Sequence, residues 1–373
     1  MAAGGWWLVA GIAGGYQLFA IAACLWHRRG AGPRPVNHLG VSILKPVRGA
    51  DPGFYEAIRS QAIQDHPQFE ILFGIRDAGD PAATEIQRLI QDFPAVPIRL
   101  VLCAQDAPNR KVGVLMDLAR EARHPLLIVS DSDITVPPDY LHDVTAPLVN
   151  PSIGLVTCLY RAEADNLPSR FEALAIATDF APSTLVAPFV GVSEFGLGST
   201  LAFRRLDLER IGGFAAIADY LADDYQLGRR LHALGLRNLI SKVVVSTRLS
   251  AESWSAAWRH QLRWARTIRL SRGAGYAGLP VTFATLWAVA AAAAGVWWLA
   301  AALLAVRYAM AITCGWCILR SPDVWKYFYL VPLRDLWGVA IWAAGLVGDT
   351  VEWRGRRLRL DAKGRIIAAD ERE

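Results

Sequence analysis

Apolar residues at the start of this chain of 373 residues form one long uninterrupted stretch. Residues 6–26 carry no charge, and at about 1.5 Å per residue they are long enough to cross a bilayer core of ~30 Å. Residues 27–29 (His-Arg-Arg) come directly after it, whereas a secretory signal places its positive charges before the apolar stretch. The pattern therefore predicts a transmembrane anchor over residues 1–30, with a cleaved signal as the alternative. The positive-inside rule predicts an outside N-terminus and a cytoplasmic location for the chain from Arg28 onward.

Residues 40–250 show a different pattern, in which short apolar runs alternate with amphipathic stretches. Such alternation is typical of an α/β domain whose mostly parallel sheet is covered by helices on both faces. Helices are predicted, for example, over 53–64 and 82–93. Strands are predicted over 41–47, 70–75, 98–102, 126–130, 153–159 and 199–203.

The apolar pattern of the anchor returns in the C-terminal part, over residues 281–348. Residues 281–306 carry no charge, Arg307 interrupts, and residues 308–319 are apolar again, which predicts two short spans in a hairpin. A last run, 327–348, contains Arg334 and Asp335, which are expected to pair with each other or with the site. The block is predicted to form transmembrane or interfacial helices, followed by a basic tail over 349–373. Three crossings would place that tail outside, so either the last run does not cross or 281–319 crosses once.

Composition supports a membrane protein with a large water-facing domain. Hydrophobic residues make up 53% of the chain and charged residues 20%, with a mean hydropathy of +0.26. The net charge of +5 is local, because residues 254–272 contain five arginines and no acid. A basic patch beside a membrane or an anionic ligand fits this distribution better than a nucleic-acid surface. The five cysteines are too scattered for a disulfide framework, and Cys314 and Cys317, although spaced like a redox motif, are predicted to be buried packing residues.

The sharpest chemical pattern is Asp131-Ser-Asp133, which follows the apolar run 126–129. Ligands of open α/β sheets bind at the carboxyl ends of strands, and two carboxylates there can share Mg²⁺ or Mn²⁺ with a nucleotide diphosphate. Solvated charge is the plain alternative. A phosphatase of the haloacid-dehalogenase type, with Asp131 as nucleophile and Asp133 as acid/base, is another, although that motif usually opens its domain.

Further candidates precede or follow this pair. Asp223 and Asp224 begin a helical stretch, where they either cap the helix or supply a general base, for which Asp224 is the candidate. Asp77 follows a predicted strand and serves as a turn residue or as a contact to a nucleotide base or ribose. Lys111 opens another helical stretch and is either a solvated charge or a cation for phosphates.

Residues 251–275 are predicted to form an amphipathic helix at the membrane surface. Arg259, Arg263 and Arg266 share one face, while Trp258, Leu262, Ala265 and Ile268 share the other, which is expected to face lipid. Either the arginines meet anionic headgroups, or Arg263 neutralises a leaving diphosphate with Trp264 packed beside it. The apolar stretch 180–195 is predicted to be a buried loop or an interfacial guide that leads a lipid toward Asp224.

Taken in order, these residues resemble the family 2 glycosyltransferases, and most closely the ceramide glucosyltransferase branch with its hopanoid-associated bacterial relatives. The resemblance runs from about residue 41 to 272 and includes the flanking membrane segments. The stretches that carry it are Ile43–Gly49, Asp77 with Asp80-Pro81-Ala82, Asn109–Lys111, Asp131–Asp133, Gly198–Arg205 with Ile211–Phe214, Ala222–Tyr225 and Arg263-Trp264.

The resemblance implies a GT-A fold, a UDP-sugar donor, Mg²⁺ or Mn²⁺, an inverting mechanism and a lipid hydroxyl as acceptor at the cytoplasmic membrane face. It implies that Asp224 is the base, that Arg263 and Trp264 close on the diphosphate, and that Asp131 and Asp133 hold the metal. Pro46, Asp77 and Lys111 complete the implied donor site, and Asp223, His260 and Gln261 lie on the implied acceptor side.

Two departures from the family pattern affect this assignment. His260 stands where the family has Gln or Arg three residues before the Arg-Trp pair, and Asp223-Asp224 replaces Glu-Asp in the base motif. The expected enzyme is thus a membrane-bound hexosyltransferase that moves glucose or N-acetylglucosamine to a ceramide- or hopanoid-type lipid, without nucleic-acid partners. A phosphatase acting through Asp131, a processive polysaccharide synthase and a degenerate membrane scaffold are the alternatives.

Overall fold

The computed structural model describes residues 5–29, 37–249 and 253–371. Its first helix is followed by an α/β domain, a group of mostly apolar helices and a small C-terminal sheet. The helices of the first two parts are α1 (Gly5–Arg29), α2 (Phe54–Ala62), α3 (Ala82–Asp92), α4 (Arg110–Glu121), α5 (Tyr140–Thr145), α6 (Leu167–Ala175), α7 (Ala181–Phe189), α8 (Arg205–Arg210) and α9 (Asp223–Ala233). The strands of the domain are β1 (Val41–Pro46), β2 (Phe69–Ile75), β3 (Ile98–Leu102), β4 (Leu126–Val129), β5 (Ile134–Thr135), β6 (Ile153–Ala164), β7 (Leu201–Arg204) and β8 (Arg237–Leu249).

The remaining elements follow the α/β domain along the chain. The helices are α10 (Trp254–Ser271), α11 (Gly273–Gly278), α12 (Ala284–Ala293), α13 (Trp297–Ile312), α14 (Pro322–Lys326) and α15 (Val331–Gly345). The last strands are β9 (Thr350–Trp353), β10 (Arg356–Leu360) and β11 (Ile366–Glu371). A π-helical segment follows each of α6 and α13, over Ile176–Phe180 and Thr313–Ile318.

The eight strands of the α/β domain form one sheet in the order β3-β2-β1-β4-β7-β6-β8-β5. Strands β3, β2, β1 and β4 are parallel, β7 runs antiparallel to both of its neighbours, and β6 and β8 are parallel again. Helices α2 and α3 pack on one face and α4 on the other, which buries strands such as β1 and β4 on both sides. The carboxyl ends of β1, β2 and β4 therefore lie along one edge of the sheet.

The predicted strands all exist, with ends shifted by a few residues. The largest extension is β6, which continues to Ala164 because it pairs along its whole length with β8. Strand β8 was not predicted, since polar and charged residues such as Asn238 and Lys242 interrupt its apolar pattern. It brings Thr247 to the edge of the sheet where the carboxyl ends of β1, β2 and β4 lie.

In the described part of the chain, two helices are long and apolar enough to cross a membrane, Trp7–Arg29 and Trp297–Ile318. A third candidate consists of the segments Gly273–Thr282 and Ala284–Ala293, which meet at a bend of 47°. Helix α1 packs against α7, α12 and α13. The predicted hairpin lies at α12 and α13, but its predicted break at Arg307 is wrong, because α13 runs through that residue and the two helices are separated at residues 294–296. Cys314 is buried as predicted, whereas Cys317 is exposed.

Four charged side chains form a cluster among these helices, which we call the inter-helix cluster (Asp179, Arg307, Arg334 and Asp335). Arg307 Nε and Nη2 donate to Asp335 at 2.8 and 2.6 Å, and Nη2 also lies 2.7 Å from Asp179. Arg334 lies 3.4 Å from Asp179. The expectation that Arg334 and Asp335 pair with each other or with the site is therefore wrong, because each finds a closer partner on the facing helical segments.

The predicted basic tail is folded. Strands β9, β10 and β11 form an antiparallel sheet that joins the α/β domain through a bridge between Tyr220 and Arg365. Ile366 N donates to Asp219 O at 2.7 Å, and Arg354, in the turn after β9, lies 3.1 Å from Asp51 in the loop after β1. The C-terminal sheet is thus fixed to the domain at two places.

Helix α10 exists as predicted, but α15 covers part of its apolar face, while Ile268 on the same face is exposed. Trp258 packs edge-on against Trp337 of α15 at a ring-centroid distance of 5.2 Å, and Ala265 is buried. Arg266 donates to the carbonyls of Val347 and Thr350 at 3.1 and 2.6 Å, so it binds the C-terminal end of the α15 region. The prediction that this apolar face meets the membrane is therefore wrong for these residues, because α15 covers it.

Candidate active site

Asp131 lies directly after β4, at the carboxyl edge of the sheet. Its backbone N–H donates to Gly198 O at 3.3 Å, which joins the end of β4 to the segment before β7. From β1, the fully buried Lys45 places Nζ 2.9 Å from the Asp131 carbonyl and 3.3 Å from Ser130 Oγ. Burial lowers the pKa of Lys45 to about 8. The backbone of Asp131 is therefore fixed by hydrogen bonds with Gly198 on one side and with Lys45 on the other, which orients its carboxylate.

Lys111 links the two acidic motifs. It stands in the first turn of α4, whose N-cap Asn109 is buried and accepts from Val112 N. Lys111 Nζ lies 2.9 Å from Asp131 Oδ1 and 3.1 Å from Asp223 Oδ2. Burial acts to lower the pKa of Lys111, but the two carboxylates outweigh it and raise that pKa above its ordinary value. The geometry accordingly makes Lys111 a permanent cation between the two motifs.

Asp224 is the carboxylate of the second motif that points toward the first. It is the second residue of α9, and its Oδ2 accepts from Gly198 N at 2.9 Å while Oδ1 accepts from Tyr225 N at 2.7 Å. A Cβ atom at Gly198 would lie 2.9 Å from Asp131 Oδ2 and 3.5 Å from Asp224 Oδ2, so a side chain at this position would displace the Asp131 carboxylate. Burial and the neighbouring Asp223 raise the pKa of Asp224 to about 6.

Asp133 completes the acidic edge, and its Oδ2 accepts from Thr247 Oγ1 of β8 at 2.5 Å. Burial and the Asp131 carboxylate both raise the pKa of Asp133 above its ordinary value. Among the residues that the structure describes, no three His, Cys, Asp or Glu side chains converge on one point as a complete metal site. Two carboxylates with hard oxygen atoms still fit Mg²⁺ or Mn²⁺, which take the rest of their ligands from water and phosphate.

Arg263, Trp264 and His260 approach from α10. Arg263 is half-buried, and among the described carboxylates none lies within ion-pair distance of it. Burial lowers the pKa of its guanidinium, while Glu172 and Asp131 act in the opposite direction, which places both acids in its neighbourhood. Trp264 packs on the end of β6 and on α6, and its ring lies 4.7 Å from that of His260. An arginine left without a carboxylate beside an acidic edge suits an anionic ligand.

The other predicted site residues lie farther from this centre. Gln261 is buried and accepts from Trp337 Nε1 at 3.1 Å, so it packs against α15. Asp77 is exposed in the turn after β2, where its Oδ1 accepts from Gly79 N. Pro46 ends β1, and the loop after it is held by Asp80, whose carboxylate accepts from Gly49 N at 3.0 Å. The role of each in ligand binding stays a prediction.

Four residues of the site were not predicted from the sequence as site residues. Lys45 gives the clearest signal, since it is a lysine inside an otherwise apolar strand. Glu172 in α6 is 1% exposed and lies 2.6 Å from His260 Nδ1. Nothing local in the sequence marks Thr247 or Tyr160, which reach the site only through the pairing of β6 with β8.

Comparison with solved structures defines the class of fold. The mannosyltransferase PcManGT from Pyrobaculum calidifontis, solved with GDP-Man and Mn²⁺, superposes with a TM-score of 0.54 at 20% identity. The match covers 88% of this chain and 99% of that one. The predicted GT-A fold with flanking apolar helices is therefore confirmed.

Sequence comparison defines the family. Residues 6–366 match the model described as glycosyl transferase family 21, and the chain belongs to this family. Ceramide glucosyltransferase 1 of Caenorhabditis elegans is 30% identical over 206 residues, which cover 54% of this chain and 44% of that protein. Ceramide glucosyltransferase 3 of the same organism is 29% identical over 231 residues, covering 61% and 50% respectively.

These matches confirm the predicted resemblance to ceramide glucosyltransferases and the glycosyltransferase class. The chain spans about half the length, or less, of the curated relatives it matches. Membership in this family also disfavours the phosphatase interpretation of Asp131.

Proposed function

We propose that this protein is a membrane-bound, inverting glycosyltransferase. It transfers glucose or N-acetylglucosamine from a UDP-sugar to the hydroxyl of a ceramide- or hopanoid-type lipid. The observation that carries the proposal is the approach of Asp224 to Asp131 across Gly198, which puts a candidate base beside a candidate donor site. The family and the names of the relatives support the reaction class and the lipid acceptor.

Asp224 is proposed to remove the proton of the lipid hydroxyl. A general base works best when its pKa lies near the working pH, and burial with Asp223 brings the pKa of Asp224 to about 6. Two backbone N–H groups, from Gly198 and Tyr225, fix its orientation. Attack of the lipid oxygen on the anomeric carbon, in line with the departing diphosphate, inverts the configuration at that carbon.

The donor diphosphate is proposed to bind between Asp131, Lys111 and Arg263. Asp131 and Asp133 would hold Mg²⁺ or Mn²⁺, and the bound cation supplies charge neutralisation for the departing UDP. Arg263 adds a second positive charge from α10, and Lys111 keeps Asp131 oriented at 2.9 Å. The exposed Asp77 is proposed to contact the uridine, as the resemblance implies.

The acceptor is proposed to approach from the membrane along α7. Phe189 of α7 packs against Phe19 and Trp26 of α1, with ring centroids 4.9 and 5.6 Å apart. The chain then runs from α7 directly to Gly198, which donates to Asp224. We infer that a lipid bound beside α1 is guided by this segment toward Asp224.

The contacts of the C-terminal sheet support a specific topology. Because this sheet binds the α/β domain at Tyr220 and Asp51, both lie on the same side of the membrane. The chain between them must then cross an even number of times, and the bent pair over 273–293 with α13 provides two crossings. With α1 as a further span, we place the N-terminus outside and the catalytic domain and tail in the cytoplasm.

Release of UDP by the detergent-purified protein tests the proposal. A matrix of UDP-sugars and lipid acceptors, with Mg²⁺ or Mn²⁺, is expected to give UDP release only when both substrates are present, and EDTA is expected to stop it. Formation of one glycolipid per UDP separates single transfer from polymer synthesis. Release of phosphate from a phospholipid, without any UDP release, would contradict the proposal and favour a phosphatase.

A further inference from the structure

A buried acid–histidine pair lies between α6 and α10, beside the proposed site. Glu172 of α6 is 1% exposed, and its Oε1 lies 2.6 Å from Nδ1 of His260. An ionised carboxylate can only accept a hydrogen bond, so Nδ1 carries the proton that the pair shares. Nε2 of a neutral ring then keeps its lone pair.

The histidine ring is held in place on a second side. Its centroid lies 4.7 Å from that of Trp264, which packs against the end of β6 and against Ala173 and Ile176 of the α6 region. The His260 side chain nevertheless remains 37% exposed. Glu172 therefore binds one edge of the ring, Trp264 packs beside it at an interplanar angle of 52°, and more than a third of the side chain stays exposed.

The pair is near the acidic edge of the sheet. Glu172 and Asp131 both act on the pKa of Arg263, one helical turn along α10 from His260. Burial raises the pKa of Tyr160, and Glu172, Asp131, Asp133 and Asp224 raise it further, so this tyrosine senses both the pair and the aspartates. Tyr160 also packs in the same apolar group as Trp264.

We propose that Glu172 is a positioning residue that holds His260 so that Nε2 accepts a hydrogen bond from the polar headgroup of the lipid acceptor. The assignment rests on the proposed function and deepens it, because it gives the acceptor a required donor group, a hydroxyl or an amide N–H, besides the hydroxyl that reacts. The arrangement follows a general rule for histidines, in which a buried carboxylate on one ring nitrogen fixes the role of the other.

A double-mutant cycle on acceptor kinetics tests the assignment. Glu172→Gln and His260→Leu are each expected to raise the acceptor KM about tenfold, while the donor KM and kcat stay within about twofold. The double variant is expected to be no worse than His260→Leu alone, because Glu172 acts through His260. Glu163→Gln, at an exposed position near the end of β6, is the matched control and is expected to behave as wild type.

Other outcomes are equally informative. A rise in donor KM that persists in the His260→Leu background would overturn the assignment and place Glu172 with Arg263 at the diphosphate. Additive effects on acceptor KM would also overturn it. Absence of acceptor-dependent UDP release in the wild type would instead refute the proposed function.

A structural measurement that needs no turnover separates a failure of the Glu172–His260 assignment from a failure of the proposed function. Nitrogen-15 NMR of histidine-labelled protein, assigned by loss of the His260→Leu signal, is expected to show His260 protonated at Nδ1. Glu172→Gln is expected to change that ratio of tautomers, and an Nε2-protonated ring in the wild type would overturn the assignment.

Discussion

Two groups of aspartates and basic side chains in the molecule have different balances of charge. The inter-helix cluster has two arginines for two aspartates, and Arg307 alone binds Asp335 and Asp179 at 2.6–2.8 Å. The acidic edge of the sheet, which we call the catalytic cluster, has four aspartates for two lysines (Asp131, Asp133, Asp223, Asp224, Lys45 and Lys111). The charges of the inter-helix cluster balance one another, whereas the catalytic cluster has an excess of negative charge.

The difference separates a structural role from a functional one. Paired charges among apolar helices satisfy each other and fix how the helices pack. Unbalanced carboxylates cost free energy in the folded protein, which a bound cation and its phosphate ligand offset. Burial raises the pKa of Asp133 and that of Asp224, and the neighbouring carboxylates of Asp131 and Asp223, respectively, raise them further.

Breaking the inter-helix cluster should give the largest loss of stability. Arg307→Leu leaves Asp335 buried without its main partner, and such a loss costs about 3–5 kcal/mol. The thermal unfolding midpoint in detergent is expected to fall sharply. The double variant Arg307→Leu/Asp335→Leu is expected to recover much of it, and a midpoint for Arg307→Leu equal to that of wild type would refute the structural role.

A substitution in the catalytic cluster should weaken ligand binding more than it lowers stability. Asp131→Ala is expected to weaken metal-dependent donor binding by at least about 10–100-fold, the range known for less direct partners of a metal. The unfolding midpoint is expected to change little, because relief of repulsion among carboxylates offsets the lost ion pair with Lys111, which keeps Asp223 as a partner. Calorimetric titration with UDP-sugar and Mn²⁺ measures the first effect, and unchanged metal dependence would contradict the assignment.

The pH dependence of transfer should follow Asp224. The base is active when deprotonated, so kcat/KM is expected to fall about tenfold per pH unit below about 6 and to be constant above it. Asp223 contributes to the raised pKa, so Asp223→Asn is expected to move this acid limb to lower pH. An acid limb that does not move in Asp223→Asn would contradict the coupling between these two carboxylates.

The smallest effect is expected in the loops that are proposed to contact the donor. Asp80→Ala removes the hydrogen bonds to Gly49 N and Ala82 N, at a cost of about 1 kcal/mol, and is expected to raise the donor KM about fivefold. Asp77→Ala, which affects only an exposed turn, is expected to raise the donor KM without lowering the unfolding midpoint. Equal midpoints for both variants would show that Asp80 does not brace the loop.

The amino-acid pattern predicted the catalytic cluster better than its surroundings. Asp131 and Asp133 follow a strand whose burial is evident from four consecutive apolar residues, so their place at the sheet edge follows from local sequence. Lys45, Thr247 and Glu172 reach the same region through strand order and helix packing, which depend on contacts between residues 85 or more positions apart. Local periodicity carries no information on such contacts.

The C-terminal region shows the same limit. The apolar stretches predicted the helices of this region. Helix α15 nevertheless lies over α10 and covers Trp258, which a helical projection alone assigns to the lipid-facing side. The tail is rich in charge, yet Leu358 and Leu360 alternate inward and build a small sheet. Tertiary partners, which the sequence pattern does not specify, decide both cases.

The measurement that tests the central claim most directly compares Asp224→Asn with Asp223→Asn for transfer and for donor binding. Asp224→Asn is expected to lose transfer by about 10²–10⁴-fold while donor affinity stays within about twofold, as for the loss of a general base. The Asp223 carboxylate pairs with Lys111 at 3.1 Å. The Asp223→Asn variant is therefore expected to keep measurable transfer. Loss of donor binding in Asp224→Asn, or abolished transfer in Asp223→Asn alone, would contradict the assignment of Asp224 as the base.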